Sequence, residues 1–161
     1  MAGERRTKNY MPLQLNVGNV SQMILPPLAS ELRNTEVDIW TPTTAYAFGD
    51  IIRADTNYYW CISAGNSGAT GPSHTDGDAI EGTVIWRYVR WHRDALTLVN
   101  VAGAGVISLS RGAPAVLHYG ITLFAYGAHN EGYEGGLFPY QGAWYAISDD
   151  GGGRALAIAE G

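Results

Sequence analysis

This sequence predicts an all-β protein, and three observations carry that expectation. The chain holds 21 glycines, 10 tyrosines and 5 tryptophans in 161 residues. Against these stands a single lysine, Lys8, whereas surface helices are usually rich in Lys, Glu and Ala. Short runs of alternating apolar or aromatic residues recur, divided by Gly, Asp, Asn and Pro clusters, and no strand-helix-strand alternation or fixed-period repeat interrupts them. The expected architecture is a small three-stranded aromatic β-module, then a C-terminal antiparallel β-sandwich or barrel, preceded by an extended N-terminal arm.

Residues 1–37 read as that arm. Its first ten residues carry Arg5, Arg6 and Lys8 against Glu4, a basic start to a chain of net charge −5. Arg5, Arg6, Lys8 and Tyr10 are candidate docking residues for an acidic neighbouring surface, since a segment with no core of its own orders on contact. Further on, Leu13, Leu15 and Val17 alternate with Gln14 and Asn16, a short strand signal. Pro26-Pro27 forbids a helix through that point, and Leu28 to Asn34 allows one or two helical turns. The piece cannot pack alone, so it should lie across the rest of this chain or across a neighbouring subunit.

Residues 38–91 form the aromatic module. Gly49-Asp50 feeds a strand at Ile51-Ile52, and Ala54-Asp55-Thr56-Asn57 has a tight-turn composition. Tyr58-Tyr59-Trp60-Cys61-Ile62 is the returning strand, and Val84–Val89 the third. The intervening residues 63–83 are polar and Gly-rich, and read as a loop. Period-two alternation sets Tyr59 and Cys61 on one face, with Trp40 and Trp86, and Tyr58, Trp60 and Ile62 on the other. Trp60 is then an exposed ring for stacking on a sugar, an anchor at a protein interface, or a core residue under the 63–83 loop.

Residues 92–161 form the second β-region. Strands are expected at Ala95–Val101, Val106–Leu109, Ala115–Leu117, Gly120–Tyr126, Gly142–Ser148 and Ala155–Ala159.

No chemistry-bearing constellation stands out, and no enzyme, cofactor or metal is expected. His74, His92, His118 and His129 show no metal-ligand spacing. Glu131 and Glu134 fall in a Gly/Tyr loop, HNEGYEGGLFPY, and read as turn carboxylates; as an acid/base pair they would need a fixed separation. Asp50 reads as a turn residue. Ser63, Ser67 and Ser73 lack a nucleophile-elbow pattern, GNSGATG lacks the GK[ST] of a phosphate loop, and Cys61 reads as a buried, inert thiol. Net negative charge argues against nucleic acid as a partner, and the apolar runs are too short for a membrane span. A single cysteine excludes an internal disulfide, and MAGERRTKNY lacks an export core, so cytoplasmic synthesis and folding are expected.

The pattern W-x-P-x-x-x-Y-x-x-G-D-I-I, then an aromatic pair before C-x-x-A-G-x-S-G, then G-T-V-x-W-x-Y-V, resembles a small β-module of tailed-bacteriophage virion proteins. It is also similar to chitin-binding type 3 modules, which share the W…Y-x-x-G-D-x-V hairpin. The likeness covers about fifty of the 161 residues. It implies a virion structural protein of the phage head surface, made in the host cytoplasm. A capsid decoration (cement) protein is expected first, with the major capsid protein and further copies of itself as partners. The alternative is a tail-fibre or receptor-binding protein gripping a host surface glycan, for which Trp60, Tyr58 and Trp91 are the candidate contacts. A third reading, a small glycan-active enzyme, would rest on Glu131 or Glu134.

Overall fold

The structure, a computed structural model, describes residues 13–132 and 139–160. Arg5, Arg6, Lys8 and Tyr10 of the expected arm therefore lie outside the described residues, as does Glu134.

Among the described residues, fifteen strands and one helical turn follow in order. They are β1 (Leu13–Val17), β2 (Gln22–Leu25), α1 (Ala29–Leu32), β3 (Asp38–Ile39), β4 (Ala45–Tyr46), β5 (Ile51–Ala54), β6 (Asn57–Ser63) and β7 (Gly65–Asn66). Then come β8 (Asp78–Glu81), β9 (Val84–Tyr88), β10 (Ala95–Asn100), β11 (Ile107–Arg111), β12 (Ile121–Leu123), β13 (Ala128–Gly132), β14 (Trp144–Ser148) and β15 (Arg154–Glu160). The chain is all-β, as its composition predicts.

Two four-stranded sheets, ordered β1-β15-β10-β13 and β12-β11-β14-β2, make a β-sandwich. Leu15, Leu96, Leu98, Leu156 and Ile158 from the first sheet and Ile24, Ile107, Leu109, Trp144 and Ala146 from the second share one apolar cluster. The alternation in Leu13–Val17 is real, and β1 pairs antiparallel with β15 from Leu13↔Ile158 to Val17↔Arg154. Strand β2 pairs with β14. Residues 13–17 and 22–25 are thus strands, one in each sheet of the sandwich, so of the two surfaces expected for this segment it lies across the rest of this chain. The reason is simple: Leu13, Leu15 and Val17 bury one face only if another sheet supplies the rest of the core.

The aromatic module is larger than three strands. It is a five-stranded sheet, β3-β5-β6-β9-β8, plus the pair β4-β7. Strands β7 and β8 fall within the stretch expected to be an irregular loop. The β8–β9 hairpin closes through Gly82-Thr83, with Gly82 at φ 65°. A Cβ there would strike the backbone of Asn66 and Ser67, so glycine is required on both counts. Asp55 sits at φ 56° in the two-residue turn between β5 and β6, a conformation that Asp tolerates.

In the second β-region, Ala115–Leu117 is not a strand. It belongs to a strap between β11 and β12, where the Ala115 N–H donates to Ser21 Oγ at 2.7 Å and the His118 N–H to Ser108 Oγ at 2.8 Å. The strap covers the outward face of β11 and buries Ser108. Gly120–Tyr126 contracts to Ile121–Leu123, and the next strand, β13, lies in the polar segment expected to be a loop.

Candidate functional site

Strand β6 positions the aromatic residues, and its alternation holds. Tyr59 and Cys61 join Ile52, Val84 and Trp86 in one buried cluster, with Trp40, Tyr46 and Tyr88 at its margin. Tyr58 and Trp60, on the opposite face, join the apolar cluster of the sandwich together with Ala29 and Leu32 of α1 and Val89. Trp60 is 0% exposed and Tyr58 is buried. The Trp60 ring meets Phe48 edge-on, 5.7 Å between centroids. Neither side chain is available to a glycan or to another chain, which corrects the expectation placed on them. The physical reason is that both faces of the module sheet are covered. The 67–77 segment closes the Tyr59 face, where Tyr59 OH donates to His74 O at 2.8 Å, and α1 and the sandwich close the Trp60 face. Trp60 is therefore a core residue, though not beneath the 63–83 segment. Trp91 is 48% exposed, and of the three expected contacts it alone reaches solvent.

The junction between module and sandwich is held by polar bonds that sequence did not signal. Arg93 is wholly buried, an uncommon place for a guanidinium. Its Nε donates to Glu160 Oε1 at 2.6 Å and its Nη1 to Tyr140 O at 2.5 Å. Gln141 clasps the Arg93 backbone from both sides, accepting from its N–H at 2.8 Å and donating to its carbonyl at 3.0 Å. The Leu28 and Ala29 N–H groups donate to Gln141 O and Arg90 O, fixing α1 to the same junction.

Glu131 is not a solvated turn carboxylate. Its side chain is 9% exposed on β13, where Oε1 meets Arg111 and, at 3.2 Å, His129 Nε2. The Tyr140 N–H donates to Oε2 at 2.8 Å. The Arg111 guanidinium also lies over the rings of Trp144 and Tyr140, 5.2 and 5.8 Å from their centroids. Burial alone would raise the pKa of Glu131. The hydrogen bonds from Tyr140, His129 and Arg111, with the charge of Arg111, outweigh it and hold the carboxyl below its usual range. A carboxylate so fixed stays ionised at neutral pH. It acts as a clasp joining β13 of one sheet to β11 of the other, and is unsuited to serve as a general acid.

Several other reactive side chains are also engaged in structure. Asp50 Oδ2 accepts from the Ala47 N–H at 2.7 Å, the turn role its sequence context predicts. Ser67 is buried, its Oγ donating to Thr41 O and accepting from the Thr44 N–H. Cys61 is buried, and desolvation pushes its thiol up to about 11. His74 packs on the Tyr59 ring, and burial lowers its pKa. His129 serves Glu131, and His92 lies 3.8 Å from Asp94. Among the described residues no group of three or more His, Cys, Asp or Glu is placed to hold a metal ion, and no helix is long and apolar enough to cross a membrane.

Two surface features remain. Large apolar side chains stand in solvent on the loops flanking β12: Tyr119 (77% exposed), Phe124 (68%) and Tyr126 (72%), with Val116 also exposed. The module carries a recess of about 350 Å³ bordered by β3, β4 and β5, with Asp38, Thr41, Thr44, Tyr46 and Asp50 in its lining. Neither was legible as a site in sequence, because exposure and concavity follow from strand placement. No protein-family model matches the chain, and a search of curated proteins finds no relative.

Proposed function

We propose that this chain is a structural virion protein of a tailed phage that binds the outside of the head and stabilises it. The observation that carries the reading is the exposed aromatic group around β12. Folded proteins seldom leave several large apolar side chains free near one edge strand unless another surface covers them. The sequence likeness of residues 38–89 to phage virion modules supports the same reading, and the internal engagement of Glu131, Asp50 and Ser67 favours association over catalysis. The partners are then the major capsid protein and neighbouring copies on the shell. A modest contact per copy, repeated over a symmetric shell, stabilises it through many simultaneous contacts.

The test is addition of purified protein to heads that lack it. Wild-type protein should co-sediment with them and raise their resistance to heat or osmotic shock. Phe124→Ser combined with Tyr119→Ser should remove binding while the protein stays folded. Undiminished binding by that variant would contradict the role given to this surface.

Trp91 keeps the receptor-binding alternative open, because a half-exposed indole can stack on a sugar ring. Glycan binding that disappears in Trp91→Ala would favour a tail-fibre role. An empty glycan screen would remove it.

A further inference from the structure

The recess between β3, β4 and β5 collects negative charge that no cation among the described residues neutralises. Parallel pairing sets Asp38 level with Ile52, two residues past Asp50, so both carboxylates border the same hollow. Asp38 has no side-chain partner among the described residues, and Asp50 spends one oxygen on the Ala47 N–H. The lining also holds three hydroxyls in contact: Thr41 Oγ1 lies 2.8 Å from Thr44 Oγ1 and 3.3 Å from Tyr46 OH. Ile39, largely exposed, and Ile51 supply an apolar side.

That lining fits a cation carried on an aliphatic stem better than a sugar. Among the described residues, Tyr46 is the one aromatic in the lining, and its hydroxyl and ring already have partners. Its hydroxyl accepts from the Thr41 N–H at 2.8 Å and its ring packs edge-on to Trp86 at 4.9 Å. A guanidinium or ammonium group would instead supply donors to two carboxylates, while its methylenes lie along Ile39.

The chain itself carries the complementary group. Residues 38–89 hold six acids and two arginines, and Arg87 is spent on Asp78 through bonds of 2.6 and 2.9 Å. By contrast, three of the ten Lys and Arg residues lie within residues 5–8. We propose that the recess receives the Arg5–Lys8 segment of a second copy, one basic side chain entering between Asp38 and Asp50. This names a contact between copies, and it does not depend on where on a virion the protein sits.

Sedimentation velocity of the full chain, across a concentration series at low and high salt, tests it. Asp38→Asn with Asp50→Asn removes the charge and keeps an acceptor for the Ala47 N–H; circular dichroism checks the fold. Asp38→Asn alone serves if the double variant unfolds. Self-association at low salt should weaken about tenfold or more in the acidic-site variant and in Arg5→Gln/Arg6→Gln/Lys8→Gln, and high salt should weaken the wild type likewise. A mixture of Asp38→Arg with Arg5→Glu/Arg6→Glu/Lys8→Glu should restore it. The proposal is overturned by association indifferent to salt and to both variants, or by its absence at every concentration. Weakening by the basic-segment variant alone, which places the segment elsewhere, also overturns it. So does a salt-sensitive effect without concentration dependence, which means docking on the same chain.

Discussion

Glu131 shows how a single side chain changes role once its neighbours are known. In sequence it sits among glycines and tyrosines; in the fold it is the acceptor for Arg111, His129 and the Tyr140 N–H. Its pKa is depressed in the folded state, so it binds fewer protons there than in the unfolded chain. Its contribution to stability is complete above the ordinary value of 4.5 and is lost as pH falls through the lower folded value. Glu131→Gln should therefore cost about 1–3 kcal/mol at neutral pH, and the cost should shrink in acid. Urea midpoints measured for both proteins from pH 7 downward check this, and parallel curves over the whole range would contradict it. Residue-scale roles of this kind were legible only in part. Asp50 could be read as a turn residue because its partner is three residues away. Arg93 could not, because Glu160 and Tyr140 come from 67 and 47 residues further on.

At the scale of elements, period-two alternation is trustworthy where strands are apolar and fails where they are not. It assigns the faces of β6 correctly, since Tyr59 with Cys61 and Tyr58 with Trp60 do enter different clusters. It misses β13, whose His129 and Glu131 turn into the Arg111 clasp, and β8, where Ile80 stands in solvent. It marks β1 as a strand without naming its partner, because β15 lies some 140 residues away along the chain. It overreads Ala115–Leu117, a strap in which Ala115 is buried while Val116 stands in solvent. If β1 is a true strand of the sandwich, its bonded amides should exchange with solvent at rates like those of β10 and β15. Exchange as fast as that of free peptide would contradict its place in the sheet.

For the whole molecule, the decisive feature is that one apolar cluster runs from the sandwich into the module through Trp60, Tyr58 and Val89. Two β-regions that share a core should unfold together. Thermal unfolding should be a single transition with matching calorimetric and van't Hoff enthalpies. Trp60→Ala should lower it by the equivalent of about 3–5 kcal/mol without splitting it. Two separated transitions would mean that the regions fold independently.

Immunogold labelling of the intact source virion, with antibody against this chain, tests the proposed role most directly. Gold distributed over the head is the predicted result. Gold confined to the tail tip, or no gold on the particle, would contradict it.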